Sequence, residues 1–166
     1  LFASLSCQRV EKNYPAAMQR AVSLLSTHPD SALYYLSQLD SQMTDKPEET
    51  RMYHRLLTLA AEDKLYVPHT SDSLIREIVR YYERYGDSDK LMMAYYYQGS
   101  VWRDMNDAPR AIASYQRALE AGRHTQWSDV LISIYSQLGT LLAYQGVYGE
   151  SIQATKPYLL DFCTPQ

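Results

Sequence analysis

Apolar residues along the chain fall into eight stretches with helical spacing, and polar or turn-forming residues separate them. Ala111, Tyr115 and Ala118, for example, sit at i, i+4 and i+7 and share one helical face. Helices are predicted over about 14–26, 31–41, 48–65, 71–84, 88–105, 108–122, 127–144 and 148–162. The punctuation agrees. Pro29–Asp30, Thr70–Ser71 and Asp107–Pro109 are N-terminal cap and first-turn chemistry. Glu48 and Glu49 after Pro47 suit a helix start, where the dipole favours acids, and Asp87 and Asp89 flank Ser88 as caps. Gly86 and Gly122 fall where a helix end calls for a left-handed residue. No segment alternates with a period of two between hairpin turns, so the expected fold is all-α.

The helices repeat. Gly99 and Gly139 are 40 residues apart, as are Ala111 and Ser151, while Ala32, Ser71 and Ala111 follow at steps of 39 and 40. Four helix–turn–helix units result, about 14–41, 48–84, 88–122 and 127–162, making one domain of about 14–163 behind a short tail, 1–13. A glycine in mid-helix costs roughly 1 kcal/mol against alanine, so Gly99 and Gly139 imply close helix crossings that compensate. A single helix pair cannot bury its own face, and units of this kind stack into a solenoid.

In the third unit Gly99, Trp102, Asn106, Ala111, Tyr115 and Ala118 follow at intervals of 3, 4, 5, 4 and 3. This resembles the small–aromatic–turn–Ala–aromatic–Ala pattern of the tetratricopeptide-repeat (TPR) family. The fourth unit keeps Leu138, Gly139, Leu142 and Gly146 but has Ser151, Thr155 and Tyr158 where the family favours Ala, aromatic and Ala. The first unit keeps Ala32, Leu36 and Leu39, and the second keeps mainly the period and the apolar faces. The family's usual repeat is shorter, and "AGRHTQW" looks like the added length between units three and four.

The resemblance implies an α-α superhelix, a right-handed TPR-like solenoid whose first helices line a concave groove for peptides or partner segments. By position that groove would draw on Tyr53, Asp63, Tyr96, Ser100, Arg103, Gln137, Thr140 and Tyr144, with Tyr97 at its edge. Each of these tyrosines could equally be packing between repeats. Gly99, Trp102, Ala111, Tyr115, Ala118 and Gly139 are expected to form the packing framework. One subclass of the family captures a partner's C-terminal carboxylate with Lys and Asn. Tyr96 and Ser100, then Ser136 and Thr140, stand in those places, so that clamp is not expected.

Composition narrows the function. Tyrosine is the outlier, 16 against two Phe and two Trp, which suits many half-buried positions in a thin structure. The net charge is −3 and no run of Lys or Arg gathers, which argues against nucleic-acid binding. Cys7 and Cys163 form no metal spacing, and in a solenoid they lie too far apart for a disulfide. His28, His54, His69 and His124 are scattered without zinc-binding geometry. Thr27–Asp30 reads as a helix-to-helix turn, and no phosphate loop or nucleophile elbow is present. No enzyme, cofactor or metal is expected.

The first residues, "LFASLSCQ", resemble the lipobox of bacterial lipoproteins, with Ser4 where Leu is usual. On that reading Cys7 carries acyl chains and Gln8–Asn13 is a spacer; the alternative is a loose tail containing a cysteine. The apolar end "KPYLLDFCTPQ" suggests a chain that continues. The expectation is a non-enzymatic, protein- or peptide-binding TPR scaffold, tethered as a periplasmic or outer-surface lipoprotein. It would be similar to TPR lipoproteins and sensory regions of Bacteroidetes-type bacteria. Alternatives are a glycan-binding surface lipoprotein, a cytosolic peptide-sensing regulator and an enzyme of unrecognised type.

Overall fold

A computed structural model describes residues 14–146 except Gln126, together with all their side chains but that of Ser128. The expected helix over 148–162, the tail 1–13 with Cys7, and Cys163 lie outside the described residues. Seven α-helices follow one another: α1 (Ala16–Leu24), α2 (Pro29–Ser37), α3 (Glu48–Lys64), α4 (Ser73–Tyr85), α5 (Ser88–Asp104), α6 (Ala108–Ala121) and α7 (Ser128–Tyr144). A 3-10 turn, Asp40–Asp45, joins α2 to α3, and no strand occurs among the described residues. The fold is an all-α helical repeat.

The forty-residue frame is kept by the first helix of each later unit. Helices α3, α5 and α7 are each 17 residues long and begin at 48, 88 and 128. Residues 50–61 and 90–101 also share the same sequence of buried and half-buried positions. The helix ends repeat as well. Tyr66, Asn106 and Gly146 all have positive φ, at 58°, 61° and 75°. Their amides donate to the carbonyls of Asp63, Arg103 and Ala143 at 3.1, 2.9 and 3.0 Å. One residue further on, Val67 and Asp107 reach back to Glu62 and Trp102 at 3.0 and 2.8 Å, closing the wider loop of a Schellman ending.

The first unit breaks the frame. Helices α1 and α2 have only nine residues each, and α2 starts at Pro29, earlier than expected. The second helices α2 and α4 therefore begin 44 residues apart, at 29 and 73, instead of the 39 read from Ala32 and Ser71. Proline at N1 supplies that earlier start, since its fixed φ suits the first helical position.

Packing of α5 on α6 follows from position 99. A Cβ there would lie 2.6 Å from Cδ1 of the Tyr115 ring, far inside contact distance. Tyr115, Ala111 and Ala118 are fully buried against that gap. Trp102 is half-buried beside it, with the Arg110 guanidinium 4.6 Å from its ring centroid, a cation–π contact. Gly139 is buried at the equivalent place in α7. Gly122 corrects an expectation. Its φ is −87°, not left-handed, and what it admits is the Met92 side chain. The left-handed helix end is instead Gly86, at φ 73°.

Two of the expected caps form, while Thr70–Ser71 does not cap α4, which starts at Ser73 after Asp72 without a side-chain cap hydrogen bond. Asp87 accepts from the Lys90 amide at 3.2 Å and Asp107 from the Arg110 amide at 3.1 Å. Asp89, the second residue of α5, is not the cap but accepts from the Thr125 hydroxyl at 2.7 Å and fixes the link before α7. Substituting Gly99→Ala should cost about 1–3 kcal/mol, because the rigid Tyr115 ring has no room to move. Urea unfolding checks this, and Gly99→Ala with Tyr115→Leu should recover part of the loss.

Candidate binding cleft

The C-terminal ends of α3 and α5 and the middle of α7 converge on one side chain. Arg103 donates from Nη2 to Asp63 Oδ1 at 3.0 Å and to Asp104 Oδ1 at 2.9 Å. Its Nε also reaches Asp104 Oδ1, at 3.1 Å, and its Nη1 donates to Gln137 Oε1 at 3.2 Å. Asp63 and Arg103 occupy the same position in successive units, 40 residues apart. A guanidinium suits this role because its planar fork serves several acceptors at once. Burial opposes its charge, but the hydrogen bonds to Asp104 and the nearby carboxylate of Asp63 outweigh that and hold Arg103 firmly protonated.

Beside this tie lies an open cleft of ≈ 620 Å³, reached by Asp63, Tyr96, Arg103, Asp104 and Gln137. Its other wall is the link after α3, Tyr66–Val67–Pro68, with Lys64 and, across from it, Ser26 and Pro29. The carboxylates sit behind the cations. The side chains of Asp63 and Asp104 are 9% and 13% exposed, whereas that of Arg103 is 30% exposed. Lys64 is exposed as well, so the cations are more accessible than the carboxylates in a cleft of mixed polar and apolar lining. Tyr66 is 91% exposed and Val67 43%.

His69 follows the lining residue Pro68 and is bonded to the lining residue Asp104, which places it at the edge of the cleft. Its Nδ1 lies 2.8 Å from Asp104 Oδ2, and its backbone N–H donates to the same oxygen at 3.1 Å. Its Nε2 faces Glu62 Oε2 at 3.7 Å, an ion-pair distance too long for a hydrogen bond, and is otherwise buried without a partner. The neighbouring carboxylates, Glu62 foremost, hold the His69 pKa above its ordinary value against the opposing effect of burial. Burial pushes the Asp104 pKa up, but hydrogen bonds from His69 and Arg103 bring it below its ordinary value. Nε2 meets a carboxylate rather than a hydroxyl or thiol, so the pair is not arranged to activate a nucleophile.

Of the residues expected in the groove, Tyr96, Asp63, Arg103 and Gln137 do come together here. Tyr96 is mostly buried, packed on Tyr97 and Tyr115 with ring centroids 4.8 and 5.7 Å away, and Tyr97 is core. Ser100 is corrected: it is fully buried, its hydroxyl 3.5 Å from that of Tyr115, and has no surface to offer a ligand. Tyr53 is corrected too. It is buried elsewhere, stacked on Tyr14 at 4.9 Å with the Lys90 ammonium 4.8 Å from its ring centroid. That ammonium is bound by Asp87 at 2.6 Å and Glu49 at 3.3 Å, and Tyr14 donates to Glu49, a structural cluster. Thr140 and Tyr144 are exposed on α7 but do not line the cleft.

Sequence reasoning missed Tyr66 and His69. The forty-residue frame could have found Tyr66, since it aligns with Asn106 and Gly146, two residue types at home in a left-handed helix end. His69 lies in a link with no counterpart between α5 and α6, and its partner Asp104 is 35 residues away. Among the described residues no cluster of His, Cys, Asp and Glu is placed to hold a metal ion. Trp102 and Trp127 are half-buried against the core.

Replacing Arg103 with Met should destabilise the chain by about 2 kcal/mol, since two largely buried carboxylates lose their shared partner. Thermal or urea unfolding measures it. Combining Arg103→Met with Asp63→Asn should cost less than the two separate losses added together, as coupled residues do. No family model, no curated protein and no solved structure matches this chain, and the cleft has to be understood from its own geometry.

Proposed function

We propose that this chain is a non-enzymatic scaffold of the TPR kind, and that its cleft holds an extended segment of a partner protein. The observation that carries the reading is Tyr66. At the equivalent helix ends stand Asn106 and Gly146, which accept a left-handed backbone readily; tyrosine there costs about 1 kcal/mol. The helix-end hydrogen bonds would form with glycine or asparagine there as well, and the ring, 91% exposed, recovers nothing by packing. With Val67 and Pro68 it presents an apolar edge to a partner, next to the half-buried guanidinium of Arg103. Tyrosine and arginine are the residue types that most often dominate binding energy at interfaces. The TPR assignment draws support from the three 17-residue helices at a step of 40 and from the Gly99–Tyr115 crossing.

Tyr66→Gly separates binding from folding. Glycine relieves the backbone strain, so stability should stay level or rise by up to about 1 kcal/mol, the gain limited by glycine's looser unfolded chain. Peptides selected on the purified chain from a random display library should lose at least about tenfold in affinity, about 1.4 kcal/mol, on this change. Selection of no peptide, or of peptides indifferent to Tyr66→Gly, rejects the cleft.

We further propose that the protein is held at a bacterial membrane surface through acylated Cys7, on the strength of "LFASLSC" alone. No described helix is long and apolar enough to cross a membrane, and attachment would rest on the lipid. Metabolic labelling with a clickable fatty acid, in a bacterial host expressing the open reading frame, should mark wild type and not Cys7→Ser. Unlabelled wild type rejects the tether.

A further inference from the structure

We propose that His69 is a proton-operated latch on the cleft rim, pinning the Tyr66–Pro68 edge to α3 and α5 when protonated and releasing it when neutral. Its bearing on ligand capture rests on the binding reading above, but the latch itself is a property of the unliganded chain.

The geometry gives each nitrogen a different duty. Nδ1 serves Asp104 Oδ2 at 2.8 Å, and the backbone amide of the same residue donates to that oxygen, so His69 is bound to α5 twice. Nε2 is buried, has no hydrogen-bond partner, and faces the Glu62 carboxylate of α3 at 3.7 Å. As imidazolium, the ring directs an N–H at each carboxylate. As neutral imidazole it keeps its proton on Nδ1 for Asp104, which turns the Nε2 lone pair toward the Glu62 oxygens. Two acceptors then face each other at a side chain only 10% exposed, where water can do little to separate them.

The charged groups around the ring are Glu62 from α3 and Asp104 from α5. Arg103 stands behind Asp104, bound to the other oxygen of that carboxylate, and Asp63 balances the second side of the guanidinium. Asp104 thus connects the latch to the floor of the cleft. The carboxylates raise the His69 pKa, with Glu62 contributing most. A raised pKa in the closed rim gives stabilisation that is complete below the ordinary histidine value of about 6.5. That stabilisation disappears as pH rises through the raised value.

The consequence falls on the residues that need holding. Val67 and Pro68 immediately precede His69, and Tyr66 is the strained left-handed residue just before them. Once the ring is neutral, the rim keeps the helix-end hydrogen bonds of Tyr66 and Val67 but loses its charged anchor at the far side.

The test needs no ligand. In the intact 166-residue chain, proton NMR follows the histidine ring signals with pH, the exposed His28 and His124 serving as internal references. Amide exchange of His69, whose N–H donates to Asp104, is the reporter of rim protection and is measured over the same range, corrected for intrinsic rates. His69 should titrate above both references. Rim protection should fall by up to about tenfold for each pH unit that separates its midpoint from that of an open loop. Amides in the middle of α5 should not follow. Glu62→Gln should lower the midpoint and flatten the fall of rim protection with pH, because its amide can donate to the neutral ring at Nε2; His69→Gln should also leave rim protection flat with pH. A His69 midpoint level with the references, or rim protection unchanged through that midpoint, overturns the latch and leaves the peptide-binding reading to its own test.

Discussion

Tyr115 lies fully buried between α5 and α6 because position 99 carries no Cβ. With a methyl group there the ring has to leave its site, and the ring is what Tyr96 and Ser100 pack against. Its buried hydroxyl, whose pKa burial pushes up to about 12, stays neutral there. The close crossing therefore sets the depth at which α5 sits on α6. That depth fixes the height of Tyr96 and Arg103, which lie about one turn to either side of position 99 on the same face of α5. A cleft whose floor belongs to one helix and whose walls belong to its neighbours inherits its shape from such crossings.

Arg103 converts that stacking into registration. Apolar faces between repeat units tolerate some sliding, since burial is non-directional. Hydrogen bonds from one guanidinium to Asp63 on α3 and Gln137 on α7 do not. Three successive first helices are thereby held at one relative offset near the cleft. Having Asp104 as the adjacent residue leaves the tie one carboxylate oxygen to spend on His69, so the same cluster that registers the helices also anchors the rim.

How far this could be read from the sequence depended on whether a residue belonged to the repeat. Gly99 and Gly139 alone carry the step of 40, and the starts of α3 and α5 fall where the Pro47–Glu49 and Asp87–Asp89 signals put them. Comparing units would also have settled Ser100. It aligns with Ala60, a fully buried position, and a small hydroxyl there is a core residue that bonds a buried tyrosine. Tyr53 aligns with Met93, again buried, and Tyr96 and Tyr97 stand where unit two has Leu56 and Leu57. Carrying a groove over by family position obscured this, because it ranked residues by type rather than by what their counterparts do. Gly122 failed for a different reason: glycine serves both left-handed turns and close approach, and only the observed φ separates them.

What stayed hidden is where the units differ. A repeat frame cannot place His69, whose partners come from a neighbouring helix end and the next unit. Yet difference from the frame is also where function has room to lie. Core positions of a solenoid answer to their neighbours and converge on small, aromatic or aliphatic residues; a left-handed helix end answers to backbone sterics and converges on glycine or asparagine. Tyr66 obeys neither constraint. It is strained by its backbone, unsupported by packing, and followed by two apolar residues and a buried histidine held between carboxylates. Folding alone would select against such a segment, and a partner seated at this rim would recover a cost that the isolated chain does not.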